Sequence, residues 1–257
     1  MRRAPKNRWM LSFASRRRRV VLAAAAVAVT AVSFGMWLRT SSLVRVKYVT
    51  VTGIEGRQAA EIRDALAVAA LDMTTLAVDE NKLRDAVAAY PIVRSVRATG
   101  DFPHRLRIAI NAYDAVAALQ PERGSLTAVA ADGTLLRGTS ARDLPLVGVR
   151  RVPGGARVGD DATLRAVRLL GAAPAPMRRR VARIFRGRRG LAATVNDGPK
   201  LYFGGDQRLR AKWSAAAQVL ADASSRGASY VDVRIPERPV AGGFQPRPGS
   251  SSTSTLG

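Results

Sequence analysis

The hydrophobic rhythm of the chain changes three times. Residues 20–38, VVLAAAAVAVTAVSFGMWL, are apolar without a charge. An uncharged run of about 18–20 residues is long enough to cross a ~30 Å hydrocarbon core as a helix. Residues 43–51 then alternate apolar and polar side chains, the period of a half-buried strand, and Gly53 ends it. Residues 58–69 place Ile62, Leu66 and Ala69 at helical spacing. A second helix is predicted over 80–89, with Asp79-Glu80-Asn81 supplying its cap and Leu83, Val87 and Tyr90 its apolar stripe; Pro91 stops it. Residues 92–99 and 104–111 read as strands around the turn Gly100-Asp101-Phe102-Pro103, with Leu106, Ile108 and Ile110 on one face. The order β-α-α-β-β over residues 43–112 predicts a compact α+β unit.

From Asp114 the pattern is mostly strands, over 115–120, 125–130, 134–137 and 144–149, with Ala131-Asp132-Gly133 as a turn. Asp160 is placed to cap a helix over 162–170. Residues 181–185, 191–195 and 200–203 give further strands. Asp206 is expected to cap a long helix over 207–226, whose stripe is Leu209, Trp213, Ala216, Ala217 and Leu220, with Gly227 at its end. The last predicted strand is 230–235, closed by Pro236 and Pro239. Residues 241–257 are rich in Gly, Pro, Ser and Thr and read as a disordered tail. The organisation expected is therefore a tail 1–19, a span 20–38, an α+β domain 43–112, a mainly antiparallel β domain 113–240 with a C-terminal helix and edge strand, and a tail 241–257.

Charge orients the apolar run. Arg2, Arg3, Lys6, Arg8 and Arg16–Arg19 precede it with no acidic residue, and only Arg39 follows it closely. Lys and Arg stay on the cytoplasmic side, so the reading is a single-pass protein with a cytoplasmic N-terminus and most of the chain outside. A cleavable signal peptide is the rival, because Ala31-Val32-Ser33 spaces small residues as a cleavage site does. Continued apolar character through Phe34, Met36, Trp37 and Leu38 favours the uncleaved anchor. The formal net charge is +23, and the cytoplasmic tail carries eight of the 42 Lys and Arg residues. Outside a membrane, anionic headgroups or wall polymers are nearer partners than nucleic acid, and Arg is abundant throughout the chain. Arg178–Arg180 and the arginines of 186–189 flank a strand as solvated edges or a polyanion patch.

Catalytic ingredients are scarce. There is no Cys, and the one histidine, His104, follows Pro103 in a turn. Zinc would need three or more carboxylate or carbonyl ligands, an unusual set. Gly154-Gly155 and Gly204-Gly205 lack the Lys-Ser/Thr of a phosphate loop. No metal, cofactor or small-molecule substrate is indicated.

The layout resembles FtsQ/DivIB, the bitopic bacterial cell-division family. Val46–Gly53 resembles the opening strand of that family's POTRA module. Tyr90–Val96 and Phe102–Ile108 are similar to its later aromatic, Pro and Leu positions. Ala131-Asp132-Gly133 with Leu144-Pro145, Gly204-Gly205-Asp206 with Lys212, and Tyr230–Arg234 resemble its β domain. Asn111-Ala112 stands where the family often has Glu-Arg. The resemblance implies a non-enzymatic septal scaffold of the cell membrane that binds FtsB/FtsL-type partners and links them to the FtsW–FtsI peptidoglycan machinery. It also implies that a partner strand adds to the last strand of the β domain, here Tyr230, Val231, Asp232, Val233 and Arg234, with Trp213 on the nearby helix as a partner-facing aromatic or a core residue. On this expectation a charge or Pro at Val231 or Val233 abolishes binding while the domain stays folded. A membrane-anchored wall-binding protein and a POTRA-type secretion or chaperone component remain as alternatives.

Overall fold

The computed structural model describes residues 10–244; residues 1–9 of the predicted tail 1–19 and residues 245–257 of the predicted tail 241–257 lie outside the described residues. The chain forms two compact units. The first begins with α1 (Met10–Thr40), a single helix that runs through the arginine block as well as the apolar run. Side chains are described within it from Leu22 to Trp37, and all of these are exposed. Among the described residues no helix is long and apolar enough to cross a membrane; that stretch falls short of the 20–38 run at both ends.

A 3-10 turn (Ser42–Val44) leads into β1 (Tyr48–Thr52), α2 (Ala59–Leu71), α3 (Glu80–Ala86), β2 (Val93–Asp101) and β3 (Arg105–Ala112). The three strands order β1-β3-β2, with β1 parallel to β3 and Tyr48 opposite Arg105. The predicted β-α-α-β-β order holds. Strand β1 is shorter than its alternating run, because Val44 and Val46 are buried but the chain at 42–44 is a helical turn. Ile62, Leu66 and Ala70 form the buried stripe of α2; Ala69 is half-buried. Asp79 caps α3 by accepting from the amides of Asn81 and Lys82. α3 ends at Ala86, ahead of Pro91, with Leu83 and Val87 buried.

The second unit is built on a nine-stranded sheet. Its elements are β4 (Ala115–Pro121), β5 (Thr127–Ala130), β6 (Leu135–Leu136), β7 (Leu146–Val149), α4 (Asp161–Gly171), α5 (Ala175–Arg180), β8 (Val181–Gly187), β9 (Gly190–Val195), β10 (Lys200–Gly204), α6 (Leu209–Ala221), β11 (Tyr230–Asp232) and β12 (Val240–Gly242). The strands order β12-β11-β10-β9-β8-β7-β4-β5-β6. The sheet is mixed, since β4–β7, β7–β8 and β10–β11 are parallel. Parallel neighbours need a crossover, and helices α4 with α5, and α6, supply two of them. α5 is a helix where the sequence predicts no element. Pro174 and Pro176 look like loop residues, yet Pro is well placed at a helix start, where its missing N–H costs nothing.

Packed on one face of this sheet, Val167, Leu169, Leu170, Phe203, Trp213 and Val231 belong to one core cluster. Asp160 caps α4 by accepting from the Thr163 amide at 2.8 Å, as predicted. Asp206 does not cap α6. Arg208 holds the N-cap position at φ 55° without a side-chain cap bond, and the helix ends at Ala221, so residues 223–225 form a separate 3-10 turn capped by Asp222.

Candidate functional site

The C-terminal end of the nine-stranded sheet gathers most of the residues singled out above. β10 and β11 run parallel, with Leu201 opposite Val231 and Tyr202 opposite Asp232. Alternation along both strands sends Leu201, Phe203, Val231 and Val233 into the core, where all four are buried. Trp213 fastens α6 beneath them. Its ring lies 4.5 Å from that of Phe203, and its indole Nε1 donates to the Leu169 carbonyl at 2.8 Å. Lys212 is buried too, and its Nζ donates to the carbonyls of Phe203 at 2.8 Å and Gly205 at 3.0 Å. Burial holds its pKa below the usual lysine range, and the neighbouring Arg208 adds to the effect against the opposing charge of Asp206.

The opposite face carries Tyr202, Tyr230 and Asp232, half-buried, and Arg234, exposed. Tyr202 and Tyr230 meet edge to face at 5.9 Å, and the Arg189 guanidinium sits over both rings at 5.2 and 5.9 Å. Such cation–π contacts orient an arginine while leaving it charged. Arg234 Nε donates to both Asp232 carboxylate oxygens at 3.0 and 2.9 Å, and the Arg234 amide donates to one of them at 3.1 Å. Burial pushes the Asp232 pKa up, but these bonds and the charges of Arg234 and Arg189 outweigh it and hold the carboxyl below its usual range.

Strand β11 is not the edge. β12 pairs antiparallel with it, setting Tyr230 opposite Gly242, Val231 opposite Ala241 and Asp232 opposite Val240. The Ser229 amide donates to the Gly242 carbonyl at 3.0 Å. The sheet therefore ends at β12, whose outer side has no strand partner among the described residues. Residues 240–242, read in part as disordered tail, are ordered sheet. Gly242 fits because a Cβ there would run into the Tyr230 ring. Ile235, Val240 and Phe244 stand exposed at this edge, and Arg208 pairs with Glu237 in the loop leading to it.

Several expectations change with this geometry. Val231 and Val233 are interior residues, so a charge at either would strike the fold before any partner. Trp213 has no exposed surface, and the structure makes it a core residue. Tyr230, Asp232 and Arg234 do share one face, as read. Arg189, Tyr202, Ile235, Val240 and Phe244 belong to the same region and were missed; the β-branched and aromatic positions Val240 and Phe244 after Pro239 were the available signal.

A cleft of about 590 Å³ opens between the ends of β7 and β8 and the start of α4, lined by Val149, Arg150, Arg151, Phe185 and Arg186. Its one carboxylate, Asp160, is committed to Thr163, whose hydroxyl and amide bonds lower its pKa. His104 lies in the other unit, its Nδ1 3.1 Å from the Arg45 carbonyl oxygen. Among the described residues no three His, Cys, Asp or Glu side chains cluster as a metal site.

Residues 44–113 match the POTRA domain, FtsQ-type, and residues 117–234 match Cell division protein FtsQ/DivIB, C-terminal. The chain belongs to the FtsQ/DivIB family. Its role therefore lies in cell division, and its two folded units are the POTRA domain and the FtsQ/DivIB C-terminal domain. No curated protein matches the chain. β12 lies beyond the matched segment, which ends at Arg234.

Proposed function

We propose that this FtsQ/DivIB protein is a non-catalytic division scaffold, anchored in the cell membrane by residues 20–38, that takes up a strand of an FtsB/FtsL-type bitopic partner at the outer edge of β12, which has no strand partner among the described residues. The observation that carries this reading is the edge itself. An unpaired strand presents a row of backbone donors and acceptors ready for strand addition. Apolar Ile235, Val240 and Phe244 flank it, and the Arg189 guanidinium over the Tyr202 and Tyr230 rings adds a cation to the neighbouring surface. The partner's strand would extend the order to partner-β12-β11-β10. Tyr230, Asp232 and Arg234 then act one strand back, fixing the register of β12, while Val231, Val233 and Trp213 support from the core.

The anchor is supported by α1. Its described side chains, 22–37, are uncharged and exposed all round, with no packed face to bury them in the protein. The arginine block before them supports a cytoplasmic N-terminus, with both folded units outside.

Binding of a purified FtsB–FtsL pair to the full-length protein in detergent or nanodiscs tests the edge. V240K, F244D and I235D change exposed side chains and should weaken binding at least tenfold, about 1.4 kcal/mol, with an unchanged urea midpoint. Wild-type affinity in all three variants would remove the β12 edge from the contact.

A further inference from the structure

The end of the POTRA unit where α1 joins it carries an apolar surface that its fold leaves uncovered. Three segments converge there. The chain leaving α1 pairs with the α2–α3 loop, through the Thr75 amide donating to the Val44 carbonyl at 2.8 Å and the Val46 amide donating to the Met73 carbonyl at 3.1 Å. The β2–β3 turn closes on both, through the Thr75 hydroxyl donating to the Pro103 carbonyl at 3.2 Å and the Lys47 amide donating to the His104 carbonyl at 2.8 Å. Each segment exposes large apolar side chains: Leu43 at 61%, Leu71 at 51%, Leu76 at 42% and Phe102 at 67%. Around them Arg45, Lys47, Lys82 and Arg105 are exposed, and their side chains have no ion-pair partner among the described residues. Of the nearby carboxylates, Asp101 is paired with Arg107, Asp79 caps α3, Glu80 accepts from the Ala98 amide, and Asp72 is exposed with no ion-pair partner among the described residues.

We infer that this surface docks on the membrane: Leu43, Leu76 and Phe102 enter the headgroup layer, and Arg45, Lys47 and Arg105 meet anionic lipid phosphates. This rests on the anchor reading above. Only residues 41–43 separate the end of α1 from buried Val44, a reach of at most about 14 Å for an extended chain. A span ending at residue 38 therefore leaves this end of the unit at the headgroups, with no free linker to lift it away. Apolar and aromatic side chains ringed by Lys and Arg suit that layer, where the chains insert ~5–10 Å and the cations stay at phosphate level. Docking would fix the height and tilt of the POTRA unit over the bilayer, so that a short tether positions a rigid body.

The chain has no Cys, so single-cysteine labels report cleanly. Full-length protein carrying a bimane at A77C, E61C or F34C would be reconstituted in phosphatidylcholine–phosphatidylglycerol vesicles, with doxyl-lipid and aqueous iodide as quenchers. Ala77 and Glu61 are exposed, and Glu61 lies in the first turn of α2, about 15 Å from Leu71 by helix rise. Docking predicts lipid quenching at 77 several-fold above that at 61, falling to the level at 61 on an L43S/L76S/F102S background. Equal quenching at 77 and 61 with F34C deep in lipid overturns the docking alone, as does a triple variant that leaves the label at 77 unchanged. Iodide access without lipid quenching at F34C overturns the anchor and the docking together.

Discussion

Lys212 shows how a single side chain can hold this fold together. It bridges the carbonyls of Phe203 and Gly205 and so clamps the end of β10 to α6. K212M keeps the volume but leaves two carbonyls without that donor, and an unsatisfied buried acceptor costs about 1–3 kcal/mol; a urea melt should show a loss in that range. Asp232 makes a pH-dependent contribution. Its folded carboxyl titrates below the ordinary 3.8, so the unfolded chain takes up the proton first and stability falls as pH drops below about 3.8. D232N should be less stable than wild type near neutrality, on the order of 1 kcal/mol, with the gap closing in thermal melts run progressively below that pH. Gly53 sits at φ 85°, and a Cβ there would overlap the Ile110 carbonyl oxygen. G53A should destabilise the POTRA unit by about 1–3 kcal/mol, measured by hydrogen exchange of β1 and β3.

Among the elements, β12 decides what the rest of the sheet end can do. It is three residues long, yet it converts β11 into an interior strand and moves the free backbone groups outward by one position. Ending the chain after Pro239 should re-expose β11 and abolish binding of the FtsB–FtsL pair, while α6 and β10 keep their protection in hydrogen exchange. Val231→Asp is a different case: it places an unpaired charge among Phe203, Trp213 and Leu201, and the expected loss is of the folded domain itself. Comparing the two by circular dichroism separates loss of an edge from loss of a core. α4 and α6 matter for the same reason as β12, because each allows two parallel strands to lie side by side.

At the scale of the whole molecule, the proposal is of a membrane anchor followed by two units with separate tasks. A fluorescent protein fused to the cytoplasmic N-terminus should give a full-length band on immunoblot and a ring at the division plane. Release of the tag from the exported part would make residues 20–38 a signal peptide, and a uniform envelope signal would remove the septal role.

What the sequence determined by itself was local. The alternation of Leu106, Ile108 and Ile110 fixed β3 because a strand over one core must hide every second residue, and Asp79 and Asp160 marked helix starts because a carboxylate there meets unpaired amides. The β-α-α-β-β order of the POTRA unit followed from such patterns, and the order of motifs along the chain carried the family resemblance, but α5 and β12 of the second unit did not show in them. Tertiary structure decided the rest. Arg208, held in a left-handed conformation and paired with Glu237, displaced Asp206 from the cap of α6. Trp213 had one apolar stripe whether it faced a partner or a core, and only the packing of Leu169 and Phe203 around it settled which. The identity of the edge strand was not in the pattern of residues 230–242 either. A strand becomes an edge by lacking a neighbour, and neighbours are set by pairing across the fold rather than by the residues of the strand itself.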